Sequence, residues 1–393
     1  MKRRFMIIFL STLFLCSSII TSGCATKEVE DLAVVTLWSW DRVTVNGTDK
    51  YQIWTRLMRP PKKDNQDTQT TGSKSSDILL TGTGTTLQDA IMDFMSRTPR
   101  SPFFGQVQAV IFGERFAREK AAEAAEANLR YPEERPGDFY FVTKGEASRL
   151  LQMEPTAAST LSKQIKKQAE TTALNAGLSC GVTAREFDEW LLSPDRDAVL
   201  PEIEPVEPKK GETVPPSVIV RDFGVFQGAH LVGWLNADES RGYLLITQKL
   251  SNAQIPVYFI KDDKMLTYWL TGFKSKIEPQ TVDGNPSFKI IIQTQGIVNE
   301  NDNLDLTSEE VKVLEQIIAA KVRELPLKTI AKAKEYDADF LGLMEKFHRY
   351  QPSAWAEIAP DWRESFRRAS VEVEVDAKIL SGGMVSKSFH IKS

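Results

Sequence analysis

Six prolines crowd into 25 residues near the middle of this chain, and they govern how everything around them can be organised. Pro194, Pro201, Pro205, Pro208, Pro215 and Pro216 lie between Ser193 and Ser217, interleaved with Glu and Lys. A proline removes a backbone donor and favours extended conformations, so such a run offers little to a helix or a sheet ladder. The segment 193–217 therefore reads as a Pro-rich linker. It separates an N-terminal α/β region, 24–192, with room for two subdomains, from a C-terminal α+β domain, 218–393. The chain is long enough for two or more cores.

The N-terminal region alternates strand and helix signals. Residues 34–37 are apolar and β-branched, and Tyr51, Ile53, Thr55 and Leu57 alternate with Gln52, Trp54 and Arg56 as in a half-buried strand. Residues 59–76 are polar and read as a loop. Leu87, Ile91, Phe94 and Met95 share one face of a helix over 86–97. Strands are expected at 107–112 and 139–143, and helices at 115–129, 146–153 and 160–174. In the C-terminal domain, 218–226 and 229–235 flank a Gln227-Gly228 turn, a hairpin. Further strands are expected at 243–248, 257–260 and 288–294. Thr307-Ser308-Glu309-Glu310 fits a capping box. Pro326 suits the first turn of a helix and so divides the following stretch into helices 308–325 and 326–349. Val371, Val373, Val375, Ala377 and Ile379 alternate with Glu372, Glu374, Asp376 and Lys378, and Gly382-Gly383 turns this strand back along 385–391. Strands, then helices, then strands define an α+β (mixed α/β) multidomain chain of mixed sheets with packed helices. No internal repeat is evident.

The first 23 residues stand apart. Lys2, Arg3 and Arg4 precede an apolar run of 16 residues from Phe5 to Ile20, the charged and hydrophobic regions of a secretion signal. A membrane-spanning helix needs roughly 20 apolar residues. Thr21-Ser22-Gly23-Cys24 resembles the lipobox of bacterial lipoproteins, where the cysteine is acylated and the chain is cut before it; Thr21 departs from the aliphatic residue usual there. Cys24 is thus the expected lipidation site and the N-terminus of a mature chain of 370 residues (393 minus 23). With Cys16 removed and Cys24 lipidated, Cys180 has no partner for a disulfide and reads as a small buried hydrophobe. Without Lys2, Arg3 and Arg4, 46 basic residues face 53 acidic ones. The basic footprint of a nucleic-acid binder is missing. A polybasic membrane patch is missing too, so attachment falls to the lipid.

Chemistry-bearing patterns are sparse. Gly82-Thr83-Gly84-Thr85-Thr86 precedes a helix but lacks the third glycine of a dinucleotide fingerprint and the Gly-Lys-Ser/Thr of a P-loop. It reads as a glycine turn capped by Thr85, with Gln88 completing a capping box. His230, His348 and His390 are isolated, outside any metal-ligand spacing; His348 suits a helix C-terminus, where a cation is favourable. Glu133-Glu134, Asp337/Asp339 and Glu372/Glu374 read as solvated surface. No nucleophile elbow is present. No catalytic residue, cofactor or metal site is expected.

The remaining landmarks follow one order. They are Glu28-Val29-Glu30-Asp31-Leu32-Ala33, Gly82 through Asp89-Ala90 to Phe94 and Arg100-Ser101-Pro102, Val110-Ile111-Phe112-Gly113-Glu114, Arg130-Tyr131-Pro132-Glu133, and Lys144-Gly145-Glu146-Ala147. In the second half come Gly224-Val225-Phe226, Leu231-Val232-Gly233-Trp234-Leu235-Asn236, Glu239-Ser240-Arg241-Gly242, Tyr336-Asp337-Ala338-Asp339-Phe340-Leu341-Gly342, Tyr350-Gln351-Pro352 and Trp355. In this sequence, behind a lipobox, they resemble the Ger(x)C lipoproteins, the lipid-anchored subunit of spore germinant receptors, over nearly the whole chain. Gln106 stands where many members have His, and Ala25-Thr26 where many have Trp-Asp. The resemblance implies a fold of several α/β domains and a non-enzymatic subunit on the outer face of the spore inner membrane. It also implies integral-membrane A-type and B-type receptor subunits as partners, in a complex that senses nutrients. The alternative is a lipid-anchored solute-binding protein of a transporter, which would have two similar lobes; the two halves here differ in pattern. The stretch 231–236 reads as a buried strand rather than an interface.

Overall fold

The computed structural model describes residues 31–58, 77–130, 135–208, 215–259, 264–299 and 307–381. Cys24 with the signal segment, the loop at 59–76, Glu133-Glu134, the Gly382-Gly383 turn, the returning strand and His390 lie outside the described residues.

Strand β1 (Leu32–Val45) turns through Asn46-Gly47 into β2 (Thr48–Met58), and β3 (Asp77–Gly84) lies antiparallel beside β2. Asn46 and Gly47 both have positive φ (51° and 76°), as a tight two-residue hairpin requires. Helix α1 (Leu87–Ser96) leads to β4 (Ser101–Phe103), parallel to the start of β1, and β5 (Ala109–Gly113), parallel to its middle. Then come α2 (Glu114–Arg130), β6 (Phe139–Thr143), α3 (Ser148–Leu151), α4 (Leu161–Asn175), β7 (Val182–Thr183), α5 (Ala184–Leu192) and β8 (Val199–Val206). The hairpin of β9 (Ser217–Gln227) and β10 (His230–Leu235) completes a mixed sheet in the order β10-β9-β8-β6-β5-β1-β2-β3, with β4 on β1 and β7 on β6.

The centre of this sheet is covered on both faces, so its parallel strands are apolar without alternation. β5 is buried throughout and β1 from Val35 to Asp41. Phe94 of α1, Phe116 of α2 and Phe187 of α5 pack on one face. Leu150 of α3 and Leu161 and Ile165 of α4 meet Leu37, Ile111 and Phe141 on the other. A register shift between Val35 and Leu37 lets Val35 and Trp38 join the same cluster while Leu37 joins the opposite one.

The remaining chain forms α6 (Ala237–Ile246), β11 (Ala253–Phe259), β12 (Lys264–Val282), β13 (Asn285–Asn299), α7 (Ser308–Glu335), α8 (Leu343–Tyr350), α9 (Pro352–Ile358), α10 (Trp362–Arg368) and β14 (Ser370–Ser381). Strands β11-β12-β13-β14 make a second sheet, antiparallel except for the parallel β13/β14 pair. Along β11 buried and exposed residues alternate strictly, the mark of a sheet with one face in solvent. Leu314, Ile318 and Val322 of α7 cover the other face beside Val373 and Ala377, and this core is continuous with that of the first sheet. The protein is thus a multidomain mixed α/β chain with two mixed sheets.

Four expectations are corrected. The segment 193–217 is no free linker: Val199–Val206 is β8, paired to β9 along its length and to β6 at Val142↔Glu202. Pro201 is tolerated because a register shift falls between it and Glu202, and buried Glu202 pairs with Lys144 at 2.7 Å. Residues 243–246, expected as strand, belong to α6: Asn236 accepts from the amides of Asp238 and Glu239, Glu239 completes the box, and burial of both sides makes the segment uniformly apolar. Pro326 does not start a helix but lies inside the 28-residue α7. It is buried there with Leu325 and Thr329, and α7 packs on α6, offsetting a cost of about 3 kcal/mol for an interior proline. The helix expected over 146–153 is only the single turn of α3.

Candidate functional site

The densest polar site lies where the linker was expected. Between α5 and β8, three consecutive charged side chains reach the C-terminal helices. Asp195 hydrogen-bonds His348 Nδ1 at 2.6 Å, Arg196 donates to Glu345 at 3.0 Å, and Asp197 receives Arg363 in a two-pronged pair, both bonds 2.8 Å. Such fork-to-fork geometry is the strongest form of ion pair. Asp197 also accepts the backbone amides of Gly228 at 2.7 Å and Asp339 at 2.9 Å. Asp339 in turn accepts from the amides of Leu343 and Met344, at 3.1 and 2.6 Å, capping the first turn of α8. Burial pushes its carboxyl up to about 7, opposed by those two amides and by Arg196. The reading of Asp337/Asp339 as solvated surface is therefore wrong for Asp339, which is fully buried. His348 does sit in the last turn of α8, and its ring stacks on Trp355 at 4.6 Å.

Beside this clamp lies a cleft of about 820 Å³, walled by α5, the end of α6, the outer half of β12 and α8. Trp190 lines it, with Arg196 and Lys249 over its ring at 4.7 and 4.8 Å. Several charges around it are paired, Lys249 with Glu186 at 2.8 Å and Lys276 with Glu278 at 2.6 Å. Of its aliphatic hydroxyls, Thr247 donates to the Tyr243 carbonyl at 2.7 Å and Ser275 has no hydrogen-bond partner among the described residues, so neither is paired with a general base there. Among the described residues no group of three or more His, Cys, Asp or Glu could hold a metal ion.

A second buried carboxylate, Asp41 of β1, accepts the amides of Ala147 and Ser148 at 2.9 and 3.1 Å. Burial again pushes it up to about 7. A Cβ at Gly113 would collide with this carboxylate, which is why glycine ends β5. Gly145, at φ 72°, exchanges two bonds with Glu114: its carbonyl accepts at 2.8 Å and its amide donates at 3.1 Å. Two of the landmark runs, 110–114 and 144–147, thus meet around Asp41.

The glycine turn at Gly82 is also packing. A Cβ on Gly82 or Gly84 would strike the backbone of α1. The cap is Thr86, which accepts from the Asp89 amide at 3.1 Å, and not Thr85, whose hydroxyl donates to the Asp89 carboxylate. The stretch 231–236 is largely the buried strand β10, with Gly233 against the ring of Tyr336. The Tyr336 hydroxyl donates to the Trp234 carbonyl at 3.1 Å, joining two further landmarks. Cys180 is buried, and burial pushes its thiol up to about 11. Cys24 lies outside the described residues. Asp41, Asp197 and Arg363 escaped sequence reasoning; the one available signal was a charge inside the apolar run Trp38-Ser39-Trp40-Asp41.

Comparisons with known proteins match this architecture in both halves. A family model described as "Spore germination protein N-terminal domain" matches residues 25–205, and one described as "Spore germination B3/ GerAC like, C-terminal" matches residues 221–383. Spore germination protein B3 of Bacillus subtilis (strain 168) is 22% identical over 98% of this chain and 99% of its own. Spore germination protein YndF of the same organism is 26% identical over 39% of each chain. The crystal structure of the GerBC protein superposes with a TM-score of 0.57 at 16% identity, covering 88% of this chain and 97% of that one, and shares the fold. The fold and both models define a spore germination protein. More narrowly, the chain belongs to the GerC family, the C-subunit type of germinant receptor proteins.

Proposed function

We propose that this chain is a non-catalytic, lipid-anchored subunit of a nutrient germinant receptor. Cys24 holds it on the outer face of the spore inner membrane, and it serves in assembly and signalling beside integral-membrane A-type and B-type subunits. The observation that carries the reading is a basic-then-apolar leader ending in Thr21-Ser22-Gly23-Cys24, directly ahead of a chain that matches the family from residue 25. A lipoprotein cysteine carries a diacylglyceryl group, and two acyl chains make attachment durable where one is marginal. Confinement to the bilayer raises the effective concentration of the body beside membrane partners. The polar groups support a structural role: Asp41, Asp197 and Asp339 are occupied in capping and pairing.

The test is Cys24→Ala in a strain where this is the sole C-type subunit. The protein is expected to move from the membrane to the soluble fraction, and germination on added amino acids or sugars to slow. Retention with the membranes would sink the anchor; normal nutrient germination after deletion of the whole gene would sink the receptor role.

A further inference from the structure

The start of β1, the end of β2, the start of β3 and the last turn of α1 gather at one end of the ten-stranded sheet. Val35 pairs with Leu57 and Met58 with Asp77, which fixes the three strand ends. Gly84 packs on Asp89 and Ala90, and Gly82 on Ala90 and Phe94, so α1 runs antiparallel to β3, towards the start of that strand. Four large apolar side chains are exposed on these segments: Met58 (42%), Ile78 (37%), Met92 (57%) and Met95 (41%). Half-buried Leu32 and Phe103 lie close by, since β4 pairs with the first residues of β1. Methionine is flexible and polarizable, suited to irregular apolar surroundings. Arg97 and Arg100 follow Met95, Arg97 being paired with Asp93 at 2.7 Å.

We propose that this end of the sheet rests on the lipid surface, an inference that builds on the anchoring of Cys24 proposed above. The length of the tether selects it. Eight peptide steps from Cys24 to Leu32 reach at most about 28 Å. The 14 residues of β1 span about 45 Å. A body standing on the opposite end of the sheet would carry Leu32 beyond that reach. The tether therefore allows this end down or the sheet lying over, and the exposed apolar side chains favour this end, where contact removes them from water. Arg100 adds a cation suited to anionic headgroups.

The experiment uses the full, lipidated chain in vesicles of phosphatidylethanolamine and phosphatidylglycerol with brominated acyl chains. Single variants Ile78→Cys, Met95→Cys and Val206→Cys carry an environment-sensitive fluorophore. Cys180 stays unlabelled because it is buried and its thiol is held protonated. Val206, exposed at the far end of β8, is the reference. Quenching is expected to be several-fold stronger at 78 and 95 than at 206. Equal weak quenching at all three sites on vesicle-bound chain overturns the lipid contact and leaves the anchor standing. A chain that does not float with the vesicles overturns the anchor itself. Should 78 and 95 become shielded only when the integral-membrane subunits are reconstituted alongside, a protein covers this end and the lipid assignment falls.

Discussion

Asp41 and Asp339 perform the same local task in different halves of the molecule, and what surrounds them differs. Each is buried, accepts two amides from the first turn of a helix, and is pushed up to about 7 by burial. The charged side chain that bears most on the Asp41 carboxyl is another acid, Glu146, which raises it further. Asp339 has Arg196 nearby and shares a network with Asp197, whose carboxylate holds Arg363. The first site joins β1 to the start of α3, 106 and 107 residues further along the chain. The second fastens the start of β8 to α8 and α10, so it ties distant segments together. The Asp41 cap is itself a long-range contact made through backbone donors, whereas the Asp339 cap is local and gains its reach through the paired charges of Asp197 and Arg363.

The comparison is broken most severely at Asp197. Asp197→Ala removes the partner of Arg363 and strands the amides of Gly228 and Asp339. Loss of one member of a buried pair costs 3–5 kcal/mol, and the partial exposure of Arg363 sets the expectation at about 3 kcal/mol in urea unfolding. A loss below about 1 kcal/mol would mean that the clamp carries no stability. Asp41→Asn keeps one acceptor and should cost about 1–2 kcal/mol by the same measurement.

The pH response sharpens the likeness between the two sites. Both carboxyls titrate near 7 when folded against an ordinary value of 3.8. Between those values the folded chain binds more protons than the unfolded one. The stability these groups lend is therefore complete below about pH 3.8 and lost as pH rises through about 7. Asp41→Asn should flatten the decline in urea midpoint between about pH 5 and pH 7; an unchanged slope would show that Asp41 is ionised throughout. The smallest effect is expected at the half-exposed His348. His348→Ala should cost at most about 1 kcal/mol, since ion pairs in contact with water contribute little.

Much of the regular architecture was legible from pattern. The strand over 139–143, the hairpin at Gln227-Gly228 and the alternation of Val371 to Ile379 appear in the structure because each depends on local periodicity and turn chemistry. The misreadings share a cause: tertiary contacts overruled composition. Pro201 and Pro205 looked like a linker, yet both lie in β8, paired to β9 with a register shift beside Pro201. The run around Tyr243 looked like a strand because a helix buried all round loses its periodicity. Asp339 looked solvated because nothing local announces that residues 142 positions away will enclose it. The proposed lipidation of Cys24, by contrast, rests on neighbouring residues alone, since a processing signal is recognised before the chain has folded.

The clamp also bears on the order in which the chain can reach its native state. Its pairs join residues 142 to 166 positions apart, so none forms until most of the chain is present. Loop-closure entropy grows only slowly with length, about 0.6 kcal/mol per doubling, and is incurred chiefly by whichever contact forms first. Asp195, Arg196 and Asp197 are consecutive, so once one finds its partner the other two are already within reach. They should act as a single late latch in refolding kinetics: loosening it raises the unfolding rate and leaves the initial collapse of the sheet unchanged.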